Sequence, residues 1–140
     1  MKKLDQRGTA AWEFCVVAVA LFTLMYVIFE LGRYAITMQS LRALANAGAR
    51  SIMITCYTDA AINKTTPSCS GDPLSDSDKK NAAPFLYAGG LTPTLSAVTS
   101  ANAITVTASQ PAFRMAMFGV TASLWGTTLD APSASTKIPF

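Results

Sequence analysis

Few side chains in this sequence are placed to do chemistry, and their spacing limits what that chemistry is. A glycine at position 8 is followed by a lone carboxylate at position 13, within Arg7-Gly8-Thr9-Ala10-Ala11-Trp12-Glu13-Phe14. Residues 14–29 then carry no charge until Glu30. A carboxylate near a bilayer centre costs roughly 2.5–3.5 kcal/mol on insertion scales. Glu13, at the lip of such a run, therefore needs a reason to be there. Histidine is absent, which removes the commonest general base and the commonest metal ligand. Serines and threonines abound, but a nucleophile needs an adjacent base. Asp72, Asp76 and Asp78 resemble the start of a calcium loop, yet the glycine and terminal glutamate of that loop are missing at the required spacing. They read as a solvated acidic loop, and Lys64, Lys79 and Lys80 as a solvated face. The chain reads as non-enzymatic, with no catalytic residue, metal site, cofactor or small-molecule substrate assigned.

The element that carries Glu13 dominates the composition. Hydrophobic residues make up 51% of the 140 and charged residues only 14%, against roughly 25% charged in soluble domains. The apolar surplus is concentrated near the N-terminus. Residues 9–32 would form a helix of about 36 Å at 1.5 Å per residue, enough to span a bilayer core of about 30 Å. The bland alternative is a buried helix of a soluble core. The apolar run exceeds the 7–15 residues of an ordinary signal-peptide core, and no small-x-small cleavage site follows it. Trp12 and Tyr34 sit near its two ends, where amphipathic rings favour the interface. Net charge is +3, and Lys2, Lys3 and Arg7 concentrate it in the head, which favours a cytoplasmic N-terminus. No basic patch interleaved with aromatics supports nucleic-acid binding.

The helical pattern continues past the span. Tyr34, Met38, Leu41, Ala45, Gly48 and Ile52 recur at steps of three and four and form one apolar stripe. Arg42, Asn46 and Arg50 fall on another face. With no proline before Pro67, one helix from residue 9 to about residue 54 is expected, its lower part docking on a C-terminal domain. Within it, Ala43 with Ala47 and Ala45 with Ala49, beside Gly48, permit close helix approach. The same residues are also simply good helix formers, and the two readings weigh evenly.

Residues 56–73 change texture to a polar loop. If the loop lies outside the cytoplasm, Cys56 and Cys69 pair in a disulfide; the alternative is two free thiols. Cys15, inside the apolar run, reads as a packed thiol. Ser75-Asp76-Ser77-Asp78 would cap a short helix over residues 79–88, ended by Gly89-Gly90. Residues 103–109 alternate, with Ile104, Val106 and Ala108 on one face and Thr105, Thr107 and Ser109 on the other, as a half-buried strand requires. Residues 94–99 form a weaker strand before it, residues 120–124 alternate again up to a bulge or end at Gly126, and residues 133–138 add another. The expectation is a small antiparallel sheet of three or four strands with one face on the helix. Phe113, Met115, Met117 and Phe118 read as core rather than a contact patch. The fold class is thus α+β, a long N-terminal transmembrane and stalk helix followed by a small antiparallel sheet domain.

The opening stretch resembles the G-x-x-x-x-E-F site at which prepilin peptidases cut type IV pilin-like precursors. Its continuation, Phe29-Glu30-Leu31-Gly32-Arg33 and then Ala47-Gly48-Ala49-Arg50, is similar to the TadE/TadF pseudopilins of the tight-adherence (Flp) pilus. The likeness covers residues 7–50 and extends to the β-rich region only in character. It implies a type IV pilin-like architecture with a leader at 1–8, a transmembrane helix at 9–32, an amphipathic stalk at 33–55 and a periplasmic domain at 56–140. It further implies cleavage between Gly8 and Thr9, ahead of Glu13 and Phe14. Glu13 would then neutralise the new amine of its own chain or of a neighbour, since opposite charges within about 4–6 Å favour the charged forms. The implied partners are the membrane, a prepilin peptidase, other pilins or pseudopilins and the Tad assembly machinery. The implied place is a bacterial inner membrane, with the protein either staying there or entering the filament. From another class, a single-pass anchor bearing a periplasmic binding domain unrelated to pili accounts for the same pattern.

Overall fold

Alanine-rich, proline-free sequence lets a single helix propagate from the start of the apolar run. The computed structural model describes residues 7–115 and 130–140. Helix α1, Arg7–Ile52, has 46 residues, about 69 Å at 1.5 Å per residue. Its course continues through a π-helical turn, Met53–Tyr57, into the short helix α2, Thr58–Ile62. The span Ala10–Ile62 contains a window apolar enough to cross a membrane, and only 6% of that window is buried within the chain. A helix whose apolar surface its own chain leaves uncovered is not the core helix of a soluble fold.

The lower half of α1 behaves differently. Leu41, Ala45, Gly48 and Ile52 of the apolar stripe are buried, Tyr34 and Met38 are half-buried, and Arg42, Asn46 and Arg50 face solvent. The stripe rests on a three-stranded antiparallel sheet, β1 (Thr94–Ser100), β2 (Ala103–Ser109) and β3 (Ser133–Pro139), in the order β1-β2-β3. The register places Ala97 opposite Val106 and Val106 opposite Thr136. Period-two alternation turns Leu95, Ala97, Ile104, Val106, Ala108 and Ile138 into one core with Leu41, Leu44, Ala45, Ala49 and Ile52. Burial of each large aliphatic side chain there contributes about 1.5–3 kcal/mol. At Asn46 the polar face of the helix also touches the sheet, where Thr136 Oγ1 donates to Asn46 Oδ1 at 2.7 Å.

Between helix and sheet, the cysteine loop covers the outer edge of β1. Gly71 N donates to Ala97 O at 3.2 Å, and Ala97 N donates to Gly71 O at 2.8 Å. Gly71 has φ +93°, a conformation that glycine adopts without steric cost. Thr99 Oγ1 donates to Cys69 O at 2.7 Å and accepts from Cys69 N at 2.8 Å. A disulfide joins Cys56 to Cys69, so the loop is fixed at the helix end as well as at the strand.

Several expectations need correction. The helix expected over residues 79–88 is two pieces, α3 (Asp76–Ala82), capped by Ser75, and a 3₁₀ turn, Pro84–Gly90. Pro84 lacks the donor an α-helix needs and pushes Ala83 to an extended φ of −145°. Lys79 is not solvated but buried, bonded to Asp72 and, at 3.1 Å, to Asp76. Its bond to Asp72 raises its pKa, against the lowering effect of burial. Cys15 is exposed on the helix rather than packed in this chain. Phe113 and Met115 are core, as expected, while the strand at 120–124, Gly126, Met117, Phe118 and the basic residues Lys2 and Lys3 lie outside the described residues.

Two substitutions test this packing. Gly48→Leu is expected to lower the denaturant midpoint of the detergent-solubilised full chain by the equivalent of about 1–3 kcal/mol, the usual cost of overpacking. Ala43→Leu, at an exposed position, should stay within about 0.5 kcal/mol of wild type; equal effects at the two positions would refute the packing described. Replacing Cys56 and Cys69 together by serine should cost about 3 kcal/mol in the same titration, the chain-entropy value for a loop of this length.

Candidate functional site

Two regions carry functional side chains, the upper end of α1 and the junction where α1 leaves its apolar run. At the upper end the backbone of Gly8, Thr9, Glu13 and Phe14 is already helical. Glu13 and Phe14 are exposed, Phe14 at 72%. Glu13 and Phe14 follow each other on a helix of 3.6 residues per turn and so project about 100° apart. Thr9 and Glu13 are four residues apart in sequence, about one helical turn. From Val16 to Leu31 the large apolar side chains are exposed nearly all round.

The five small residues of the lower helix divide by environment. Ala45, Gly48 and Ala49 are buried, Ala47 is half-buried and Ala43 is exposed.

 Ala45, Gly48 and Ala49 are thus the three that the chain's own sheet covers. A Cβ on Gly48 would lie 3.1 Å from Leu95 Cδ2, 3.1 Å from Val106 Cγ1 and 3.3 Å from Pro73 Cγ. Their small size serves helix-on-sheet contact within the chain, and Ala43 and part of Ala47 stay open to a neighbour.

At the junction, one helical turn below Glu30, a second cluster assembles. Glu30 and Thr37 are buried, and Thr37 Oγ1 donates to Arg33 O at 2.9 Å. The Arg33 guanidinium lies over the Phe113 ring at 4.7 Å from its centroid, and Arg33 Nη2 donates to Arg114 O. Tyr34 packs on the same ring at 6.2 Å, tilted by 59°. Tyr34 therefore faces the β domain, not only the interface expected of it. Asp130 closes the far side, with Oδ1 accepting from Met115 N at 3.0 Å and Oδ2 from Arg114 Nη1 at 3.1 Å. The Met115 backbone bond, aided by Arg114, holds the Asp130 carboxyl below its ordinary pKa.

These residues edge a cavity of about 480 Å³ lined by Arg33, Thr37, Phe85, Leu86, Gln110 and Phe113 among others. Gln110 is fully buried; its Nε2 donates to Leu86 O at 3.2 Å, but its Oε1 has no hydrogen-bond partner. An unpaired buried acceptor costs about 1–3 kcal/mol. Sequence reasoning missed Gln110, although it continues the inward phase of Ile104, Val106 and Ala108 by two residues. Among the described residues, no group of three or more acidic, cysteine or histidine side chains could hold a metal.

Residues 8–50 match the family model described as TadE-like protein. Over that segment the chain is similar to TadE-like proteins. No curated protein and no solved structure matches the chain.

Asp130 gives the junction a defined pH response. A depressed folded pKa means that its contribution is present above the unfolded value of 3.8 and is lost as pH falls through the folded value. Acid titration below that value should loosen the contact with Met115, seen as a falling unfolding midpoint. Asp130→Asn should flatten this part of the profile, and an unchanged slope would exclude the assignment.

Proposed function

We propose that the chain is a minor pseudopilin of a Tad-type pilus, a structural subunit that supports pilus assembly, and with it adherence and surface colonisation, without catalysis. The observation that carries this reading is the coincidence of the TadE-like segment, residues 8–50, with a membrane-length helix that leaves its apolar surface uncovered. In this reading residues 1–8 are a leader and residues 9–32 span the inner membrane. Residues 33–55 form the stalk, and residues 56–140 lie in the periplasm. A disulfide between Cys56 and Cys69 suits an oxidising compartment and supports that orientation.

A prepilin peptidase would cut between Gly8 and Thr9 at the cytoplasmic face, leaving the whole apolar helix in the mature protein. The new Thr9 ammonium then needs a counter-charge at low dielectric. Glu13 supplies it, from the same helix face or from an adjacent subunit, and the pair lowers the cost of holding either charge near the bilayer. The exposed apolar ring from Val16 to Leu31 gives lipids or other pilin helices a surface to pack on.

Mass spectrometry of the mature protein should find Thr9 at the N-terminus, and Gly8→Ala should block processing. An intact Met1 start in cells with an active prepilin peptidase would sink this reading. Glu13→Ala should leave cleavage intact and abolish assembly; normal piliation in that variant would rule out the charge-pairing role.

A further inference from the structure

We propose that the cavity at the foot of the membrane segment binds the headgroup of an anionic, hydroxyl-bearing phospholipid of the phosphatidylglycerol class. Its volume, about 480 Å³, is in the range of small-molecule sites. Phe85, Leu86, Leu91 and Phe113 give it apolar walls, which suit a glycerol backbone and the first methylenes of an acyl chain. On the buried side, Gln110 Oε1 is an acceptor with no donor, and a headgroup hydroxyl would supply one. At the mouth, the exposed Arg33 guanidinium spends one donor on the Arg114 carbonyl, leaving others for a phosphate. Arg114 is tied to Asp130, so Arg33 is the cation that faces the phosphate.

Position selects a lipid over a dissolved phosphate ester. Arg33 directly follows residues 9–32, so in a chain that spans the membrane the mouth opens at headgroup depth, where basic pockets meet anionic lipids. This inference rests on α1 crossing the bilayer, as the proposed function does.

The test is native mass spectrometry of the full chain extracted from vesicles of phosphatidylcholine alone or mixed with phosphatidylglycerol. Wild type should retain one phosphatidylglycerol per chain in preference to phosphatidylcholine. Arg33→Gln should reduce retention roughly tenfold or more, the scale of one charge-assisted hydrogen bond. Ala112→Trp, at an exposed lining position, should obstruct the cavity with the charges unchanged and reduce retention as well. Gln110→Leu should lose lipid with little change in the unfolding midpoint, because loss of the bond to Leu86 O is offset by removal of the unpaired acceptor. Retention undiminished from wild type in both Arg33→Gln and Ala112→Trp, equal retention of phosphatidylcholine, or displacement by glycerol phosphate in solution would each overturn the proposal. Carbonate extraction separates the two failures. A chain released from membranes overturns the pseudopilin reading too, whereas a membrane-embedded chain that retains no lipid overturns the cavity assignment alone.

Discussion

The close approach of α1 to the sheet at Gly48 is the contact on which the rest of the structure depends. The facing residue there has no side chain, and a methyl on it would press tightly on Leu95, Val106 and Pro73. Ala45, nearly one turn before, and Ala49, the next residue, widen the seat. The three strands are themselves short, and their inward residues are mostly small or β-branched, so the sheet has little core apart from the helix. Helix and sheet therefore form one packing unit, and an isolated three-stranded sheet of this size would be marginal.

Polar groups in the interior fix the connections around that unit. Lys79 ties the acidic loop to α3 through Asp72 and Asp76, and Asp130 ties the chain before β3 to Met115. Both are charges held close to opposite charges or backbone donors, as partly buried charges must be. Gln110 departs from this rule, with one of its two polar atoms satisfied and the other not. That asymmetry separates a linking residue from one whose partner comes from outside the chain.

Much of this was legible in the sequence. The three-and-four spacing from Tyr34 to Ile52 marked the buried face of α1, and the alternation from Ile104 to Ala108 marked the central strand, because both patterns are local and periodic. The break at Ala83 was also local, written in Pro84, but the apolar run Phe85-Leu86-Tyr87 concealed it. Lys79 could not be read in the same way, since its burial depends on Asp72 reaching it across a turn. The cavity was least accessible. Arg33 and Phe113 stand eighty positions apart, and only the folded helix-on-sheet packing brings them together. Gly8 and Glu13, by contrast, belong to a linear segment, and the roles proposed for them rest on the resemblance of that segment to a prepilin peptidase site.

The unbroken course of α1 from Arg7 to Ile52 has a mechanical consequence. No proline interrupts α1 between the apolar half and the sheet, and Gly32 stays within the continuous helix, so the element transmits torque as well as position. A rotation of the upper helix about its axis turns the β domain through the same angle, and an axial displacement carries it equally far. Whatever grips the upper helix thus sets the azimuth of the domain below, so that a neighbour meets both halves as a single stiff crank.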